Sequence, residues 1–278
     1  MRTLSRRSLL TAGTVATAGA GALVVGERER GRRWLHSAGI LHSPDHPAPH
    51  ATVAVDEEML ASRHMGGPVA WAAAVPDATP EALVLCLHGR NGTHRTAFDA
   101  IGVHRFVAAG ALPWVVVGVD GGRDSYWHRR VDGTDARAMV FEELLPELDA
   151  RHGRLPLALL GWSMGGFGAL AAAAAHPDRV AAAAAASPAL WSAFGQTAPG
   201  AFDSAADFAA NDVFRSTDVL RRLPVRIDCG DEDPFASAAH RLAAALPGAE
   251  AAFGTGFHDS AFWRSRVPAQ LAFLAKTL

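Results

Sequence analysis

From Leu83 onward the chain repeats one pattern, a short unbroken apolar run followed by a longer stretch with helical spacing. The apolar runs lie at 83–87, 114–119, 157–160, 180–186, 223–229 and 250–253. The runs at 83–87, 114–119, 157–160 and 180–186 contain no polar residue and read as strands buried on both faces; those at 223–229 and 250–253 read as the later strands. The stretches 96–109, 134–151, 163–176, 236–246 and 261–278 read as helices. Strands alternating with helices predict an α/β fold, a mostly parallel central sheet with helices on both faces. Upstream, 52–62 and 68–75 flank His64-Met65-Gly66-Gly67 and predict a hairpin, followed by a turn at 76–80.

In a parallel sheet, functional residues gather in the loops that leave the strand C-termini. One such loop is Gly161-Trp162-Ser163-Met164-Gly165, set between an apolar run and an Ala-rich helix. A serine hydroxyl is a weak nucleophile unless its geometry is enforced and a base stands beside it. A sharp strand-to-helix turn with small residues at Gly161 and Gly165 would supply that geometry, and the helix N-terminus would favour developing negative charge. Ser163 is therefore the candidate nucleophile. A later loop, Gly230-Asp231-Glu232-Asp233-Pro234-Phe235, offers carboxylates, and the last holds Gly256-Phe257-His258-Asp259. In the order Ser, Asp, His, His258 is the candidate base and Asp233 its orienting acid, with Asp231 the alternative. The oxyanion would be received by the backbone N–H of Met164 and that of Arg90 in His88-Gly89-Arg90, with Asn91 the alternative donor.

On these residues the chain resembles the α/β-hydrolase superfamily. More narrowly, it is similar to the esterase group that includes the S-formylglutathione hydrolases and the secreted mycolyltransferases. Leu87-His88-Gly89, the run from Gly161 to Leu170, and Gly256 to Trp263 carry the likeness, with Trp263 five residues after His258. The resemblance spans Leu83 to the C-terminus. It implies the α/β-hydrolase fold, a triad of Ser163, Asp233 and His258, and ester cleavage through an acyl-enzyme that requires no metal or organic cofactor. Acyl transfer to a sugar or lipid alcohol, or a non-catalytic envelope-binding role, are the alternatives. Domain 51–278 would carry the activity. Its segment 187–223 would form a small lid whose Trp191, Phe194, Phe202, Phe208 and Phe214 suit an acyl chain or aromatic group. Trp191, with Tyr126 and Trp127, is a candidate wall of the substrate pocket.

Composition narrows the partners. A net charge of −2 without a basic or acidic block beyond the N-terminus gives no reason to expect nucleic acid. An ester of a small molecule or lipid remains the expected ligand. Cys86 and Cys229 each lie in an apolar run and read as small buried residues. His42, His46 and His50 fall in a Pro-rich stretch, and 27–50 reads as a solvated linker. Residues 1–26 begin with Arg2 and Ser5-Arg6-Arg7-Ser8-Leu9-Leu10, followed by a mildly apolar Ala/Gly/Thr/Val run. That is the logic of a twin-arginine export signal, which implies the export machinery as a partner and an extracytoplasmic location. Left uncleaved, it would act as a membrane tether.

Overall fold

The computed structural model describes residues 31–36 and 38–278, so the expected signal at 1–26 lies outside the described residues. Residues before Ser43 form a unit of their own, and everything below concerns Ser43–Leu278. Among the described residues no helix is long and apolar enough to cross a membrane.

The apolar runs become the strands of one eight-stranded sheet. They are β1 (Asp56–Ser62), β2 (Gly67–Ala74), β3 (Ala82–Leu87), β4 (Trp114–Val119), β5 (Leu157–Trp162), β6 (Val180–Ala186), β7 (Val225–Gly230) and β8 (Glu250–Gly254). Their spatial order is β1-β2-β4-β3-β5-β6-β7-β8. The hairpin β1–β2 is antiparallel, β2 is antiparallel to β4, and all remaining pairs are parallel. β3, β4, β5 and β7 are buried along their whole length. Because successive side chains point to opposite faces, β3, β4 and β5 each feed two cores. Leu83, Leu85 and Leu87 of β3 join one core with Met139, Leu148 and Phe167, while Val84 and Cys86 join the other with Phe98, Phe106 and Leu271. The structure is an α/β-hydrolase fold, and helices cover both faces.

The five expected helices appear with two differences, and the segment 187–223 adds short ones. A helix was expected over 96–109. Instead a π-helical turn, Ala97–Ile101, stops at Gly102, whose φ of 77° is a left-handed value that ends the hydrogen-bond ladder, and α1 (Val103–Ala109) begins after it. The closing helix ends at Leu274 rather than Leu278. The others are α2 (136–152, π-helical at Met139–Leu144), α3 (Met164–Ala175), α4 (Ala205–Asn211), α5 (Ala236–Ala245) and α6 (Ser260–Leu274). Residues 43–50 have no regular structure, and they are tied down rather than loose in solvent. Ser43 is buried, its Oγ accepts from the Phe257 N–H at 2.8 Å, and Asp45 pairs with Arg264 at 2.9 Å.

The strand order places the site. β4 lies on one side of β3 and β5 on the other, so the connections after β3 and β5 diverge and leave a crevice at their C-terminal ends. In register, Leu87 of β3 stands beside Gly161 of β5, and Gly230 of β7 beside Gly254 of β8. The four loops of interest therefore leave the sheet at one edge, in two adjacent pairs.

Candidate active site

Ser163 sits between β5 and α3 with φ 56° and ψ −121°, a strained conformation for a residue with a side chain. Three backbone bonds hold it there. Its N–H donates to Ala186 at 3.0 Å, and its carbonyl accepts from Phe167 and Ala189, each at 3.0 Å. The flanking glycines are steric necessities. A Cβ on Gly161 would overlap the Gly165 carbonyl, and one on Gly165 would overlap the carbonyls of Leu87 and His88. Gly165→Ala is expected to cost about 3 kcal/mol, because the obstacle is backbone and cannot rotate away. A fall in the urea midpoint checks it.

The structure brings the three expected side chains together. His258 Nε2 lies 2.8 Å from Ser163 Oγ, and His258 Nδ1 lies 2.7 Å from Asp233 Oδ2. A carboxylate only accepts, so Nδ1 donates to Asp233 and Nε2 is left to accept from the Ser163 hydroxyl. Asp233 is fully buried, and its Oδ1 accepts from the Phe235 N–H at 2.8 Å. Asp231 is exposed on the surface, and it is Asp233 that reaches the imidazole. Glu232, between them, is structural: its Oε2 accepts from the Gly256 N–H at 2.9 Å and ties the acid loop to the histidine loop. Burial pushes the Cys229 thiol far above its ordinary range, and the nearby Asp233 carboxylate adds to the effect. Cys229 therefore stays neutral and does not compete for the imidazole. Trp263 stands edge-on to His258 with ring centroids 5.1 Å apart.

Gly89 lies against the nucleophile, since a Cβ there would stand 3.4 Å from Ser163 Cβ. The N–H of Asn91 is committed to the Arg123 carbonyl at 2.8 Å. Among the described residues, the N–H groups of Arg90 and Met164 have no acceptor. Those two amides, the second at the N-terminus of α3, are the expected oxyanion donors. His88 fixes their loop, a role the sequence reading did not assign. Its Nδ1 donates to the Gly89 carbonyl at 2.8 Å, its Nε2 accepts from the Gly121 N–H at 3.0 Å, and its carbonyl accepts from Trp127 Nε1 at 3.2 Å. The imidazole is thus a rivet between the loops after β3 and β4.

The candidate wall residues part company. Trp127 is 1% exposed and wedged between Gly121 and Gly168, where an added Cβ would strike the indole. It is a core residue and corrects the expectation of a pocket wall. Tyr126 is also buried. It packs on Trp191, Phe202 and Phe167 at centroid distances of 5.6, 5.9 and 6.1 Å, and burial raises its phenol above the ordinary value. Trp191 is half-buried and reaches Phe235 at 5.4 Å. Within 187–223, Phe202 and Phe208 are buried against this cluster, whereas Phe194 is exposed. In Ser43–Leu278, no three described His, Cys, Asp or Glu side chains converge as a metal site requires.

The comparisons agree with this architecture. Residues 65–274 match the model of the family described as "Putative esterase". The chain belongs to that family, one of esterases and serine hydrolases. Solved structures of the same fold include a ferulic acid esterase (21% identity, TM-score 0.69, covering 81% of this chain and 98% of that one). An S-formylglutathione hydrolase from Agrobacterium tumefaciens is similar at 19% identity and TM-score 0.66, over 85% of this chain and 100% of that one. Mycobacterium tuberculosis MPT51 (FbpC1) is similar at 18% identity and TM-score 0.64, over 81% and 99%. No curated protein sequence matches the chain significantly.

Proposed function

We propose that this protein is an exported serine esterase that cleaves carboxylic esters through an acyl-enzyme on Ser163. The observation that carries the reading is the unbroken chain Ser163 Oγ, His258 Nε2, His258 Nδ1, Asp233 Oδ2, with links of 2.8 and 2.7 Å. Ser163 Oγ attacks the ester carbonyl as its proton passes to His258 Nε2. The amides of Arg90 and Met164 receive the tetrahedral oxyanion. Collapse breaks the bond to the leaving oxygen, which takes the proton back from His258. Water then repeats the cycle on the acyl-serine, releasing the acid and restoring Ser163. Asp233 stabilises the imidazolium that forms twice per turnover. The mechanism needs no cofactor.

A fluorophosphonate probe is expected to label the folded protein once, on Ser163, and not to label Ser163→Ala. Folded protein that takes up no label would overturn the reading. Export rests on the paired Arg6-Arg7 ahead of a weakly apolar run. Converting both arginines to lysine is expected to hold a leader-fused reporter in the cytoplasm, and undiminished export would reject the twin-arginine route.

A further inference from the structure

A groove enclosing about 490 Å³ is lined by Phe235, whose ring centroid stands 5.3 Å from that of His258. That lies within the roughly 300–1,000 Å³ typical of small-molecule sites. Both of its walls continue from the triad loops. One follows Ala189, whose N–H is bonded to the Ser163 carbonyl, and presents Leu190, Trp191 and Ser192. The other follows Asp233 and presents Phe235, Ser237 and Arg241. The groove changes character along its length. At Phe235 it is apolar, with Trp191 packed edge-on against that ring and the imidazole 5.3 Å from it.

The far end is polar and cationic. Arg241 lies six residues beyond Phe235 along α5, about 9 Å at the helical rise. Its Nη2 donates across the groove to Ser192 Oγ at 2.5 Å, and its Nη1 donates to the Ser237 hydroxyl and carbonyl at 3.2 and 3.3 Å. The guanidinium also lies over the Phe214 ring, 5.6 Å from its centroid, which holds the fork in place. Arg130, Arg151, Arg226 and Arg264 each face a carboxylate. Arg241 does not: among the described residues its hydrogen-bond acceptors are all neutral oxygens. A permanent positive charge without a carboxylate partner thus sits at the solvent-exposed end of a groove whose other end is lined by Phe235, the ring that packs against the imidazole. A planar fork of this kind matches a carboxylate or phosphate.

We propose that this groove selects esters bearing an anionic group at the end of an apolar or aromatic body, with Arg241 receiving the anion. The proposal rests on the esterase reading of Ser163. The anion could be carried by the acyl part or by the alcohol, so the test has two arms. The acyl arm compares p-nitrophenyl octanoate with the mono-p-nitrophenyl ester of suberic acid. The alcohol arm compares 4-acetoxycinnamamide with 4-acetoxycinnamate. In at least one arm kcat/KM is expected to favour the anionic member by about tenfold, the scale of one charge-assisted hydrogen bond. That preference should vanish in Arg241→Gln, survive in part in Arg241→Lys and shrink with added salt, while the neutral esters are turned over as before. No anionic preference in either arm, or one that Arg241→Gln leaves intact, would overturn the proposal. A wild-type protein that turns over none of the four esters and takes no fluorophosphonate label would instead sink the esterase reading, and the groove's selectivity with it.

Discussion

Replacing Ser163 by alanine is expected to lower kcat for ester hydrolysis by about five to six orders of magnitude while leaving the protein folded. The loss is large because the acyl-enzyme has no other route. The buried thiol of Cys229 stays neutral, and among the described residues no second hydroxyl stands on His258. Stability should change little, since Ser163 is held by backbone bonds that alanine keeps and, among the described residues, its side chain bonds only His258. Steady-state kinetics with p-nitrophenyl butyrate and a urea titration measure the two effects. Residual turnover above about a hundredth of wild type would point to a nucleophile elsewhere.

Asp233→Asn is the second large effect, expected to lower kcat by about four orders of magnitude. The carboxylate accepts from His258 Nδ1 and thereby leaves Nε2 free to take the Ser163 proton. An asparagine presenting its amide nitrogen would donate to Nδ1 instead. The ring proton would then sit on Nε2, facing the hydroxyl it should deprotonate. The control is Asp231→Asn, which should leave the kinetics nearly unchanged because Asp231 is exposed and only its backbone N–H is engaged, on the Gly254 carbonyl. If Asp231→Asn proved the more damaging, the assignment of the acid would be reversed.

Much of this architecture could be read before any coordinates. The buried strands announced themselves because a strand covered on both faces needs an uninterrupted apolar run, and Trp114–Val119 and Val180–Ala186 lie where those runs fall. The Gly161–Gly165 spacing was legible for an equally local reason, since only glycine tolerates backbone at those distances. The misses are tertiary. Nothing near Trp127 in sequence says that Gly121 and Gly168, far apart in the chain, form a slot for its indole. His88 was legible as part of the oxyanion loop, but its role as a rivet shows only once the Gly121 amide and the Trp127 indole are placed against it. Arg241 reads as an ordinary solvated helix position, and its isolation from carboxylates is visible only once the neighbouring wall is in place. Gly102, inside the stretch read as one helix over 96–109, breaks it, as a glycine with a left-handed φ can.

The union of the acid and histidine loops has a wider consequence. Asp231 and Glu232 donate their N–H groups to the Gly254 and Gly256 carbonyls, Glu232 accepts from Gly256 in return, and a Cβ on Gly230 would overlap Gly256. The proton-handling half of the machinery is therefore tied together by its own backbone bonds, and it meets the turn that carries the nucleophile at the Ser163 Oγ–His258 Nε2 link. Evolution or an engineer can exchange the residue at 163, serine for cysteine included, and still inherit a working imidazole couple. The chemistry of the attacking atom and the chemistry of the proton are separately heritable parts.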